Sequence, residues 1–281
     1  MTTRRTVLAA ALALAAGCAA PRRTPDGPSA VPSAAPPSAP PSVPPSTVPV
    51  AAPSREEVLA RYAGQAPRQW GTDLPGVAAT VPGGALALTF DACGGPGGNG
   101  YDADLIALLR RHRVPAALFL NARWIDANPG PTAELAADPL FTIGNHGTAH
   151  RPLSVTGRQA YGITGTADPA AAYEEVAGNR AKLTALLGRP PAWFRSGTAH
   201  YDEVALHLLG DLGERAAGFA VNADGGATFT PAQVAATLTT APPGSIVISH
   251  FNHPTSGTTP GYAQALPRLL DTGRTFTPLP P

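Results

Sequence analysis

The sequence predicts an α/β fold built on a parallel sheet, and three observations predict it. Between about Ser54 and Pro281, short apolar runs that fit strands alternate several times with amphipathic stretches that fit helices. Runs such as Leu86-Ala87-Leu88-Thr89-Phe90 and Ala116 to Leu120 are apolar almost throughout, as in strands covered on both faces. Polar side chains gather just after those runs, at the carboxyl ends of the strands, where parallel sheets carry function whether open or closed into a barrel.

The chain has 281 residues, a formal net charge of +1, 43% hydrophobic residues and two cysteines, Cys18 and Cys93. That charge gives no electrostatic footprint for nucleic acid, and two cysteines supply no disulfide framework. Residues 1–17 read as a lipoprotein-type signal peptide. Arg4 and Arg5 precede an apolar run from Val7 to Ala16 that is too short to span a membrane. Ala15-Ala16-Gly17-Cys18 resembles a bacterial lipobox, which implies cleavage before Cys18, a lipid on its sulfur and attachment to the cell membrane facing the wall. Residues 18–53 are then the anchor and a Pro/Ser/Ala-rich linker, extended at ~3.1 Å per residue and able to reach roughly 100 Å.

Residues 54–84 are expected to form a helix and an extended segment. Ser54 caps the helix, Glu56 and Glu57 occupy its first turn and Tyr62 ends it; Gly64 to Pro82 crosses the surface, pinned by Trp70. The main domain is expected over 85–281. Its proposed strands are Leu86 to Phe90, Ala116 to Leu120, Phe141 to Gly144, Trp193 to Phe194, Phe219 to Val221 and Ile246 to Ser249. Its proposed helices are Asp104 to His112, Pro131 to Ala137, Pro169 to Leu187, Asp202 to Leu212, Pro231 to Leu238 and Tyr262 to Leu270.

The chemistry collects at the strand ends. In order these carry Asp91; Asn121; Asn145 and His146, with His150 close behind; Arg195; Asn222 and Asp224; and His250 with Asn252 and His253. Any one has a plain alternative, such as Asp91 capping a turn, but their convergence points to an active site. His146 and His150 are four apart, and a helical turn would put both imidazoles on one side, as ligands for zinc or another divalent metal. Cys93 is either a small buried hydrophobe or a thiolate ligand. His112, His200 and His207 read as structural. Tyr101, Trp124 and Tyr201 are candidates for ligand contacts and equally for packing.

Thr89-Phe90-Asp91, Gly144-Asn145-His146-Gly147-Thr148-Ala149-His150, Phe194-Arg195 and Ile248-Ser249-His250 follow one another in the order of the polysaccharide deacetylase motifs. From about Ala85 to Leu270 the chain resembles the NodB-type homology domain of carbohydrate esterase family 4. The resemblance implies a distorted, incomplete (β/α) barrel. It also implies a divalent metal, zinc by expectation, and removal of acetyl groups from peptidoglycan, chitin or acetylated xylan. It further implies Asp91 as base, Arg195 orienting it, His146 and His150 on the metal, His250 as general acid and Asp224 tuning that acid. Thr198 would lend its backbone N–H to the oxyanion.

The sequence departs from the family in three places. The Trp usual after the Asp224 position is absent. Ser196 and Gly197 replace prolines. Ala92 stands where the family has a second, metal-binding aspartate. The missing ligand is then Asp91 itself, Cys93, or a group from Asn252-His253 or Asp224. An acetylated polysaccharide is the expected partner, with the chain a monomer. The alternatives are a deacetylase-fold protein that binds glycan at the wall without turning it over, and a metal-independent hydrolase of another amide.

Overall fold

The computed structural model describes residues 53–280; the signal peptide, Cys18 and nearly all of the linker lie outside the described residues. Helix α1 (Arg55–Tyr62) begins with a capping box in which the Ser54 hydroxyl accepts from Glu57 N–H and the Glu57 carboxylate accepts from Ser54 N–H. Two short strands, β1 (Trp70–Gly71) and β2 (Val77–Ala78), interrupt the segment expected to be simply extended. β3 (Ala87–Ala92), α2 (Ala103–His112), β4 (Ala116–Leu120), α3 (Ala122–Ala127), α4 (Pro129–Ala137) and β5 (Phe141–Asn145) follow. A hairpin of β6 (Gln159–Ala160) and β7 (Ile163–Thr164) precedes α5 (Pro169–Leu187), β8 (Trp193–Phe194), β9 (Tyr201–Asp202) and α6 (Glu203–Asp211). The chain closes with β10 (Arg215–Ala217), β11 (Val221–Asn222), α7 (Pro231–Thr239), β12 (Ile246–His250) and α8 (Thr258–Asp271).

Eight strands form one sheet in the order β11-β12-β3-β4-β5-β8-β10-β2, every pairing parallel. The sheet curls into a half-barrel with helices on its outside. β2 lies ahead of the boundary expected at residue 85 and pairs with β10. The segment after it hydrogen-bonds to the start of β12, through Ile246 N–H to Ala79 O at 2.9 Å and Val81 N–H to Gly244 O at 2.8 Å.

Alternation along the strands sorts the core. Leu88, Phe90 and Ala92 of β3 and Ala116, Leu118 and Leu120 of β4 point outward into a cluster under the helices, with Ile106, Val234 and Leu266. Ala87, Ala117 and Phe119 point inward into a smaller cluster with Trp193, Ala217 and Ile246. A third cluster joins Val58 and Tyr62 of α1 to Val176 of α5 and Leu208 of α6. The register sets Asp91 opposite His250 on one side and Phe119 on the other, so the reacting groups start from adjacent strand ends.

The fifth proposed strand, Phe219 to Val221, is corrected. The chain pairs earlier, as β10, and again later, as β11. The interruption follows from Arg195, whose guanidinium draws the carbonyls of Ala217 (3.4 Å) and Gly218 (2.9 Å) towards itself. Helix α3, which the sequence pattern did not reveal, starts from an Asn121 cap that accepts from Arg123 N–H at 3.1 Å.

Candidate active site

At the carboxyl ends of β3 and β8, Asp91 and Arg195 form a buried ion pair. Arg195 Nη1 donates to Asp91 Oδ1 and to Thr89 Oγ1, both at 2.8 Å. Its other nitrogens reach the two carbonyls named above, and its guanidinium lies 4.4 Å from the centre of the Phe119 ring. With Oδ1 committed to Arg195, Oδ2 faces His146, whose Nε2 is 3.7 Å away. Burial pushes the Asp91 carboxyl up, but Arg195, His146 and His250 outweigh it and hold the group below its ordinary value.

His146 is buried and donates from Nδ1 to Arg195 O at 2.8 Å, which turns Nε2 towards Cys93 Sγ at 3.8 Å. His150 joins them, its ring centred 4.9 Å from that of His146 and nearly perpendicular to it. No helical turn brings the two histidines together. They sit on a loop bent by Gly147 (φ 76°) and by His150 itself (φ 61°), so the expectation of a turn is corrected. The loop is held from behind. Asn121 Nδ2 donates to His146 O and Gly147 O at 2.8 Å, and Asn145 Oδ1 accepts from Gly147 N–H at 2.9 Å. Glu175, buried in α5, accepts from Ala149 N–H at 2.9 Å and Arg151 N–H at 3.0 Å. A Cβ on Gly147 would come within 2.2 Å of the Glu175 carboxylate, so only glycine allows this closure.

Cys93, His146 and His150 each bring one donor atom into a cluster within 4.8 Å. His150 Nε2 is buried with no hydrogen-bond partner. Burial opposes ionisation of the Cys93 thiol, but His150 and hydrogen bonds from His146, His150 and His250 outweigh it, and the thiol falls well below its ordinary value. A thiol of lowered pKa and two imidazoles, one of them with an orphaned ring nitrogen, together fit a divalent metal. Asp91, His253 and Asp224, the other candidates for the missing ligand, lie outside this cluster.

On the next strand, His250 faces Asp224. Its Nδ1 is 3.0 Å from Asp224 Oδ1, and its backbone N–H donates to Oδ2 at 2.7 Å. Thr258 Oγ1 donates to the same Oδ2 at 3.0 Å. Burial opposes the charge on His250, but hydrogen bonds to Asp224 and Cys93 and the charge of Asp224 hold its imidazolium well above the ordinary histidine value. Asp224 in turn is raised by burial and lowered by more through His250.

Two cavities meet at His250 and Gly226. The larger, about 630 Å³, is lined by Asp91, Thr198, Asn222, Phe229, Tyr161 and Ile163 among others. The smaller, about 480 Å³, lies between Cys93, the Gly94–Gly98 loop, His150, Asn252 and His253. Thr198 therefore sits on the wall facing Asp91, while His253 lines the second cavity without joining the metal-type cluster. The proposed ligand contacts are corrected. Trp124 and Tyr201 are fully buried, and Tyr101 packs against Trp124 and Phe251. Sequence reasoning also missed Glu175, although α5 carried a signal. Its buried stripe of Ala172, Val176 and Leu183 is interrupted by two polar residues, Glu175 and Asn179.

A family model described as polysaccharide deacetylase matches residues 78–217. No curated protein matches the chain by sequence. Among solved structures, a CE4 family pseudoenzyme from Bacillus anthracis aligns with a TM-score of 0.59 at 20% identity, over 70% of this chain and 64% of that one. The chain thus spans just under two thirds of that protein. A peptidoglycan N-acetylglucosamine deacetylase aligns with a TM-score of 0.60 at 20% identity, over 73% of this chain and 90% of that one. Bacillus subtilis PdaA, a family 4 carbohydrate esterase, gives 0.58 at 18%, over 80% and 86%. At such identities the structures share a fold, the incomplete (β/α) barrel.

Proposed function

We propose, starting from the match of residues 78–217 to the polysaccharide deacetylase family model, that this chain hydrolyses acetyl groups from an acetylated polysaccharide. The observation that carries the reading is the position of Asp91. Its free carboxylate oxygen faces the Cys93–His146–His150 cluster, while His250 ends the neighbouring strand.

Cys93, His146 and His150 would hold a divalent cation, which when bound supplies Lewis acidity that makes water more acidic and polarises the acetyl carbonyl. Asp91 takes the proton of the attacking water on Oδ2, because Oδ1 is engaged by Arg195. Arg195 keeps the carboxylate ionised and fixes its plane. The backbone N–H of Thr198 donates to the developing oxyanion. His250, held charged by Asp224, protonates the leaving amine or alcohol, and acetate departs.

Acetate release from peptidoglycan, chitin oligomers and acetylated xylan, each with zinc added and with chelator, tests the reading. Release from at least one substrate, lost with chelator and lowered about 10²–10⁴-fold by Asp91→Asn, is the expected result. No release from any of them, with zinc shown to be bound, sinks it. Ala92 favours a second reading, glycan binding without turnover. A purified chain that holds no zinc, releases no acetate and still binds peptidoglycan would establish that one instead. The lipid anchor on Cys18 and export to the cell envelope complete the proposal. Among the described residues, no helix is long and apolar enough to cross a membrane.

A further inference from the structure

The hairpin of β6 and β7 carries a side chain that packing does not explain. Its two turn residues, Tyr161 and Gly162, both have positive φ, 51° and 77°. This is the pattern of a two-residue type I′ turn, whose first position favours Asn, Asp or Gly and strains a bulky side chain. Tyr161 accepts that conformation and is nonetheless 83% exposed, so its ring gains nothing from burial. Of the four large hydrophobic side chains exposed among the described residues, two, Tyr161 and Ile163, belong to this one hairpin. Both line the cavity that holds Asp91, Thr198 and His250.

The ring is also oriented. Tyr161 meets His200 edge-on, with centroids 5.4 Å apart. His200 donates from Nδ1 to Thr198 O at 2.8 Å, which ties it to the cavity wall, and its ring lies 5.6 Å from that of Trp70. The hairpin pairs with no other strand, so it stands at the cavity's edge as an arm. Strained backbone at the rim of a reactive cleft marks a functional position. An exposed tyrosine ring there presents a flat apolar face and a polar tip, which suits the apolar face and hydroxyl edge of a sugar. Beyond His250 the cleft continues into the second cavity, which leaves room for a chain to pass through.

We propose that the Gln159–Thr164 hairpin is a sugar-holding arm, and that Tyr161 binds the ring next to the acetylated one, so that the site takes oligosaccharide chains in preference to single sugars. The proposal rests on the deacetylase reading and names the substrate class of that same site.

Calorimetric titration of the full chain with N-acetylglucosamine oligomers and acetylated xylo-oligomers, each of one to five units, tests the arm independently of turnover. Wild-type affinity for one of the two series is expected to rise with length. Tyr161→Asn, which suits the turn better, is expected to keep or raise Tm while weakening binding of the longer oligomers about 3–10-fold. Tyr161→Phe, which keeps the ring, is expected to bind within about twofold of wild type. An unchanged length dependence in Tyr161→Asn overturns the arm, and so does a wild type that binds neither series.

Acetate release separates this inference from the reading beneath it. Tyr161→Asn should lose more kcat/KM on the longest substrate of the bound series than on its one-unit member. Length-dependent binding sensitive to Tyr161→Asn, with no acetate released from any substrate, would sink the deacetylase reading and leave the arm standing.

Discussion

Asp91 and Arg195 meet inside the half-barrel as an ion pair whose oxygen and nitrogen are 2.8 Å apart, with Arg195 wholly buried and Asp91 3% exposed. Replacing Arg195 with Met strands a buried carboxylate, which costs ~3–5 kcal/mol of stability. It also removes the largest influence that opposes burial of the carboxyl, so the Asp91 pKa rises. A lower urea midpoint and an acid limb of the pH–rate profile moved to higher pH are the expected results. A variant with wild-type stability and an unmoved limb would remove Arg195 from its role.

Cys93, not Ala92, stands with His146 and His150 in the cluster of donor atoms within 4.8 Å, and we propose it as the third ligand. Metal analysis of Cys93→Ala is expected to show zinc affinity reduced by at least ~10–100-fold, a loss seen already when groups supporting a ligand are changed. His253→Ala is expected to retain wild-type affinity, since His253 stands outside the cluster. Equal zinc content in Cys93→Ala and wild type at limiting metal would exclude the thiolate as a ligand.

Asp224 governs the alkaline side. The His250 pKa is raised in the folded chain, so the acid form persists through neutral pH and is lost as pH rises through that raised value. Its contribution to stability has the same sign, present below the unfolded value and lost over the same upper range. Asp224→Asn removes the main partner of the imidazolium. The alkaline limb of kcat should therefore move to lower pH, and the His250 resonance in NMR should titrate lower than in wild type. An unchanged titration would mean that other groups set the charge of His250.

Glu175 shapes the loop that carries both histidines, by accepting from its backbone at Ala149 and Arg151. Glu175→Gln replaces one acceptor with a donor, so one of Ala149 N–H and Arg151 N–H loses its partner, at a cost of ~1–3 kcal/mol. Weaker zinc binding, with kcat restored at saturating zinc, is the signature of a positioning residue. Gly147→Ala should be worse than Glu175→Gln, because it adds a Cβ against the Glu175 carboxylate at a position with φ 76°. Equal zinc affinity in all three chains would leave Glu175 with a purely structural part.

Ala92 shows why motif reading stopped short. By motif order it occupies a ligand position, but Leu88, Phe90 and Ala92 share the outward face of β3 and pack beneath the helices. Asp91 points inward, and Cys93, just past the strand, reaches the site instead. A one-residue step along a strand changes the face, which no motif records. The fifth strand was misplaced for a related reason. Phe219 to Val221 looked the most apolar, but the carbonyls before it turn to Arg195, and that demand comes from a residue more than twenty positions away.

The sequence by itself determined the alternation of strands and helices, the gathering of Asp91, His146, His150, Arg195, Asp224 and His250 at strand ends, and their order. These follow from local periodicity and from where a parallel sheet delivers its strand ends. The tertiary structure alone decided which donor joins the two histidines, how Glu175 and Asn121 hold their loop, and which aromatic stands free at the cleft. Those facts depend on contacts between residues far apart in the chain, and a linear pattern carries no distance across space.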